Sequence, residues 1–390
     1  MFLQINLQGR VQISLQIHGR AQINLQDRIM NKSVSQFLKF SLFFGIGLAI
    51  MTWLYNGQNT AFQEQLRLDG KQPYPLIRKI FDDFRSVNLF WIGMTLLAFS
   101  ISNWSRALRW NMLIEPLGRQ PKTLNAFFAV NISYFTNLWL SRAGEVVRAS
   151  ALAKAEGMSV SRVMGTVVVD RLLDLFTLAV IVGFSFIVQY DILWSWLDKN
   201  LGDGSGSFRL FGHPLFIGLM VFGVVSMVLA YVLRKKIAEL PFVNKIWHIV
   251  EKFGEGLKTI RKVKNPLAFV FHSVNIWVMY YMMTYLCFFA FAPTANLSAQ
   301  AALTVFVFGT FGIVIPSPGG MGTYHFLAMS ALALYGVKGD DAFSFANIMF
   351  FSIQIFYNIV AGLISIYLLR RMNKNAPLST EALLADAEAV

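Results

Sequence analysis

The chain alternates long apolar runs with short polar segments. Six runs, at 35–55, 87–106, 163–190, 212–233, 266–292 and 342–369, have the length and composition of membrane-spanning helices, because a hydrocarbon core about 30 Å thick needs roughly 20 apolar residues in helical form. Two further apolar segments, 123–154 and 298–337, are each interrupted by a tight turn, "SRAGE" at 141–145 in one and "PSPGG" at 316–320 in the other. The pattern predicts an all-α polytopic membrane protein with about six full spans and two doubled segments.

Loop charges orient these spans, since Lys and Arg concentrate on the cytoplasmic side. The segment 234–264 carries Arg234, Lys235, Lys236, Lys245, Lys252, Lys258, Arg261, Lys262 and Lys264, and the last span is followed by Arg370, Arg371 and Lys374. Arg106, Arg109, Arg119 and Lys122 mark another cytoplasmic loop after the second span. The loop 191–211, the short loop 293–299 and the "KGDD" turn at 338–341 suit the outside. Both termini are then cytoplasmic. Each doubled segment must return to the side it entered from. The returning arm 143–154 reaches only about 18 Å as a helix, too short to span. Residues 123–154 therefore read as a re-entrant hairpin from the cytoplasm, and 298–337 as one from outside, although the second also has room for two true spans.

A symmetry follows. Residues 87–190 run span, hairpin, span, and 266–369 do the same in the opposite direction, joined by a connector at 191–265. Such inverted-topology repeats hold their substrate near the midplane, where the interrupted segments meet. Residues 1–29 differ from the rest. Their imperfect repeat, "QINLQGR", "QISLQIHGR" and "QINLQDR", is too short and polar to build a core, so they read as a disordered or spurious extension before a membrane domain at 30–372, with a short amphipathic interfacial element as the alternative. Residues 373–390 form a C-terminal tail, and 237–262 reads as either an amphipathic surface helix or a solvated loop.

Composition agrees. Only 14% of residues are charged and 55% are hydrophobic, against about 25% charged in a soluble domain. The net charge of +13 belongs to the loops and to anionic lipid surfaces, not to nucleic acid. The single cysteine, Cys287, excludes a disulfide framework and a cysteine metal cluster. No phosphate-binding P-loop, nucleophile elbow or zinc-helix motif occurs, so no cofactor or metal is expected and enzymatic activity has no visible machinery.

Three polar groups stand out against this apolar background. In "LSRAGEVVRAS", Arg142, Glu145 and Arg148 follow one another at helical spacing around Gly144. Two guanidinium groups and one carboxylate suit a phosphate, and the alternative is an ordinary cytoplasmic turn. In "VVVDRLLDLF", Asp170 and Asp174 share a helix face and Arg171 can pair with Asp174 or Glu145. Ions inside a span face the protein interior or a cavity, so this is a structural ion-pair cluster, part of a substrate site, or both. In "PSPGGMGTYHFLA", Pro316 and Pro318 stop a helix, Gly319, Gly320 and Gly322 allow tight turns, and the restarting helix could bind an anion near Tyr324 and His325. A plain loop between spans is the alternative. His272 and Asn275 share a face and read as packing residues, with a place on a cavity wall as the alternative.

Taken together, "SRAGEVVRAS", "VVVDRLLDL" and "PSPGGMGTYH" resemble the three signatures of the lysylphosphatidylglycerol synthase transmembrane family, also called flippase-like domain proteins, over roughly residues 35–370. The resemblance implicates Arg142, Gly144, Glu145, Arg148, Arg171, Asp174, Pro316, Pro318, Gly319, Gly320 and Gly322. It departs at Leu140, where the family often has proline, at Asp170, which replaces a glutamate, and at His325, which stands where a final glutamate is common. It implies a bacterial inner-membrane lipid flippase or transporter. The substrate would be an anionic phospholipid or isoprenoid-linked lipid whose phosphate is bound between the hairpin tips. The soluble domain that performs aminoacyl transfer in the family's multiple peptide resistance factor has no counterpart here. An intramembrane enzyme acting on a lipid-linked phosphate and a non-catalytic scaffold are the competing readings.

Overall fold

The computed structural model describes residues 41–42, 44–140, 143–189, 263–315 and 320–374. The expected extension 1–29, the expected span 212–233, most of the basic segment after it and the tail beyond 374 lie outside the described residues, as do Arg142, Pro316, Pro318 and Gly319. Every regular element among the described residues is helical.

A first helix, α1, covers 44–68. An amphipathic helix α2 (Leu76–Ser86) buries Leu76 and Ile80 and leaves Ile77 and Phe81 exposed. It meets the next helix at 82°. Then come α3 (Leu89–Ile114), α4 (Thr123–Trp139), α5 (Gly144–Glu156) and α6 (Val160–Val188). After the connector follow α7 (Pro266–Phe288), α8 (Ala299–Val314), α9 (Thr323–Ala333), α10 (Gly339–Phe350), a π-helical stretch Phe351–Tyr357 and α11 (Asn358–Met372). Local chemistry sets several boundaries. Asn88 caps α3 by accepting from Phe90 N, Asn265 caps α7 by accepting from Ala268 N ahead of Pro266, and Ser298 caps α8 by accepting from Ala301 N.

By length and composition, Pro266–Phe288 and Gly339–Met372 can each cross a membrane, and a third crossing follows if Leu76–Ser86 and Leu89–Leu117 form one broken span. On α7, Leu267, Phe271, Val274 and Val278 form an exposed apolar stripe at helical spacing, the surface a helix turns to lipid and not to water.

The two interrupted segments are helix pairs, α4–α5 and α8–α9, and tight contacts hold each pair. A Cβ on Gly144 would lie 2.3 Å from Ser133 O, and one on Gly312 only 2.6 Å from Tyr324 Cα. Only a residue without a side chain admits the partner backbone so closely. Both halves therefore run long helix, two short helices, long helix. Their leading helices, α3 and α7, pack antiparallel as the most extensive helix pair. Asn88 N donates to Ala290 O at 2.9 Å, Ser102 Oγ to Ile276 O at 3.1 Å, and Asn275 Nδ2 to Ser105 Oγ at 2.7 Å. Each half also lays its first short helix on the closing helix of the other. Asn131 on α4 donates to Ser365 on α11, and Thr304 on α8 bonds Gln189 at the end of α6.

Candidate functional site

Asp170 and Asp174 are one turn apart on α6 and face α3, where Arg106 and Arg109 are also one turn apart. Arg109 reaches Asp170 Oδ1 with Nε at 3.0 Å and Nη2 at 2.6 Å, and the same Nη2 lies 2.6 Å from Asp174 Oδ1. Arg106 Nη1 donates to Asp174 Oδ2 at 2.6 Å and to Asp170 Oδ2 at 3.5 Å. Arg148, rising from α5, completes the shell with Nη1 at 3.0 Å from Asp170 Oδ2. Its guanidinium lies over the Trp110 ring, 3.9 Å from the centroid, while Trp110 Nε1 donates to Thr166 Oγ1. The cluster thus clamps α3, α5 and α6 together. Such charges are tolerated at depth because each finds an opposite charge.

Arg171 occupies a different place. It pairs with Glu145 on α5 and, through Nη1 at 3.4 Å, with Asp174, and its side chain remains 40% exposed where Arg109 is fully buried. Four guanidinium groups against Asp170, Asp174 and Glu145 leave one positive charge over among the described residues.

A cavity of about 330 Å³ opens beside this cluster. At its polar end lie Arg106, Arg171, Asp174 and the tyrosines Tyr134 and Tyr280. Phe99, Leu178, Trp277, Phe306 and Ile353 build apolar walls, with Tyr324 and Gly309 from the second helix pair also lining it. The cavity therefore takes residues from both halves. Its wall also includes Gln354 from the π-helical stretch, a distortion often found at functional positions.

The residues read from sequence separate accordingly. Arg171, Asp174 and Tyr324 line the cavity. Glu145 borders it as the partner of Arg171. Asp170 and Arg148 are wholly buried behind it, and Arg148 bonds Asp170 and not Glu145. His325 is packed against Phe343 and Phe350, buried, and away from the cavity wall. Gly144 serves the α4–α5 approach, and its N–H donates to Asn137 Oδ1 at 2.9 Å. Gly320 and Gly322 hold left-handed backbone, φ +83° and +80°, and Gly322 presses the turn onto α1, where a Cβ would come within 2.6 Å of Gly47 O. Gly320 lies instead against α8, where a Cβ would come within 3.1 Å of Ile313, and neither glycine lines the cavity.

One expectation is corrected. Arg106 and Arg109 are not loop residues that orient the chain. They are buried within α3, which continues to Ile114 and stops at the Glu115–Leu117 turn with Pro116 and Gly118. The proline and glycine were the legible stop signal, and the one-turn spacing of the arginines matches that of Asp170 and Asp174. Tyr134 and Tyr280 had no such signal.

The family profile described as the lysylphosphatidylglycerol synthase TM region matches residues 76–362, from the start of α2 into α11. The chain belongs to the lysylphosphatidylglycerol synthase transmembrane family. Comparisons with curated proteins and with solved structures returned no match. Family membership places the chain in the membrane and ties it to membrane lipid. Both the arginine–aspartate cluster and the cavity lie within the matched region of this lysylphosphatidylglycerol synthase transmembrane protein.

Proposed function

We propose that the protein binds the phosphate-bearing headgroup of an anionic lipid in this cavity and moves it across the bilayer, in the manner of a flippase. The observation that carries the reading is the cavity's asymmetry. One end holds Arg171 and Arg106 beside a surplus positive charge, and the remaining wall is apolar, as a headgroup with attached chains requires. The antiparallel packing of α3 on α7 and the exchange of short helices between halves support an inverted repeat with two re-entrant hairpins, so that rocking one half on the other would expose the cavity to each side in turn. In this reading the membrane is a bacterial inner membrane with both termini cytoplasmic. The competing reading, an intramembrane enzyme on a lipid-linked phosphate, has less support, because Asp170, Asp174 and Glu145 are all engaged by arginines.

The test is reconstitution in vesicles containing fluorescent phosphatidylglycerol, with headgroup translocation followed by quenching from outside. The wild-type chain should accelerate translocation, and Arg171→Gln should reduce it at least tenfold while the purified protein stays folded. Wild-type protein that moves no lipid, or an Arg171→Gln variant that moves it normally, would sink the assignment.

A further inference from the structure

The cavity's polar end carries two tyrosine hydroxyls that no signature contains. The hydroxyls of Tyr134 on α4 and Tyr280 on α7 are 2.7 Å apart, and Arg106 Nη2 donates to Tyr280 Oη at 3.3 Å. Both tyrosines line the cavity. A phenol carries one proton and two acceptor positions. The pair therefore holds two O–H protons, and the bond between the hydroxyls uses one of them, whichever ring donates. Among the described residues no other acceptor meets the second proton. Arg106, which donates to Tyr280, cannot receive it. Tyr134 also interacts electrostatically with Arg171, which keeps N–H groups beyond those committed to Glu145 and Asp174.

We propose that Tyr134 and Tyr280 form a shared donor that delivers one O–H to an oxyanion of the bound headgroup, next to Arg171. This rests on the lipid reading above and deepens it. The occupant of the polar end must present an acceptor oxygen there, as a phosphate does, whereas an ammonium group has no acceptor to offer and would face Arg106 and Arg171. Because Tyr134 belongs to the first half and Tyr280 to the second, the same oxygen ties the halves together when bound.

The proton count makes an unusual prediction. Tyr134→Phe frees the Tyr280 proton, and Tyr280→Phe frees the Tyr134 proton, so each single variant still has one O–H for the ligand. Only the double variant has none. Titration of the detergent-purified chain with dihexanoyl phosphatidylglycerol should show each single variant weakened by no more than about threefold and the double variant by roughly tenfold or more. If the pair only braces α4 against α7, either single change already breaks the brace, and the double variant will bind like the singles. That result overturns the proposal. As a second measurement independent of the folding of the double variant, 3-fluorotyrosine at positions 134 and 280, a stronger donor of nearly the same size, should tighten binding, and unchanged affinity counts against the donor role. Inorganic phosphate in parallel separates the two readings. If phosphate alone binds with the same tyrosine pattern, the donor stands and the lipid reading fails. If the wild-type chain binds neither probe, both fail.

Discussion

Arg109 grips Asp170 with two nitrogens, Nε at 3.0 Å and Nη2 at 2.6 Å, and neither side chain reaches the surface. Asp170 also receives Arg148 at 3.0 Å, so its loss would leave buried guanidinium groups facing one another. Breaking a buried ion pair from one side costs about 3–5 kcal/mol. Asp170→Asn should therefore lower the unfolding midpoint in detergent sharply. A midpoint within a degree of wild type would show that the cluster does not hold α3, α5 and α6 together.

Arg148 gives a milder and more specific expectation. Its guanidinium lies over the Trp110 ring and outside the cavity wall. Arg148→Lys keeps the charge and loses the delocalised guanidinium over the ring, which should destabilise the fold by about 1–2 kcal/mol without changing which headgroup binds. A shift in headgroup preference with unaltered stability would contradict its placement behind the cavity.

Much of this arrangement was legible along the chain, for physical reasons that differ between its parts. Charges inside an apolar run are costly, so Asp170, Arg171, Asp174 and Glu145 announce themselves by position, and Arg171 takes both of the partners open to it, Glu145 and Asp174. The two helix pairs were legible from their breaks at 140–143 and 315–322. Arg106 and Arg109 were misplaced because basic residues at the end of an apolar run are what an orienting loop also looks like. Only the contact with α6, more than sixty residues on, distinguishes the two cases. The glycines of the second turn read as positions of tight turn and close approach, and the element that Gly322 admits is α1, a neighbour that local spacing cannot reveal. Tyr134 and Tyr280 were silent, since a lone tyrosine in a membrane helix has no pattern.

Glycine contacts in the first helix pair can be tested against an internal control. Gly144→Ala drives a Cβ to within 2.3 Å of Ser133 O, a backbone atom that cannot swing aside. The cost should be about 1–3 kcal/mol. Gly165 on α6 has nothing within 4 Å of its added Cβ, and Gly165→Ala should be neutral or stabilise by roughly 0.5–1 kcal/mol through helix propensity. Thermal unfolding of both variants side by side checks this, and equal losses would refute the close approach of α4 and α5.

Lys79 on α2 pairs with Asp83 of its own helix and with Asp341 at the start of α10, at 2.8 Å each, with Asp340 at 3.6 Å. Burial alone would push its pKa down, but the bonds to Asp341 and Asp83 outweigh this and hold it above the ordinary lysine value of 10.5. A raised value means that the contribution to stability is fully present below 10.5 and is lost only as pH rises through the folded value. The wild-type latch should therefore be constant from pH 6 to 9 and weaken only in strong alkali. Lys79→Met leaves three carboxylates facing one another. Its stability deficit should be constant from pH 6 to 9 and shrink in strong alkali, where the wild-type lysine loses its charge as well. A deficit that does not change with pH would mean that Lys79 acts through packing alone.

Gly309 lines the cavity, and a Cβ there would lie 2.8 Å from the edge of the Tyr324 ring, which also lines it. The neighbouring Gly312 faces the backbone of Tyr324 at 2.6 Å instead. A ring can turn aside where a backbone cannot. Gly309→Ala should therefore fold with little loss, displace Tyr324 and reshape the cavity, slowing lipid translocation several-fold, while Gly312→Ala should lose stability before any effect on transport can be read. Thermal unfolding and the vesicle assay on the same two preparations separate these outcomes. If Gly309→Ala leaves translocation at the wild-type rate with Tyr324 displaced, the lipid's path does not run through this cavity.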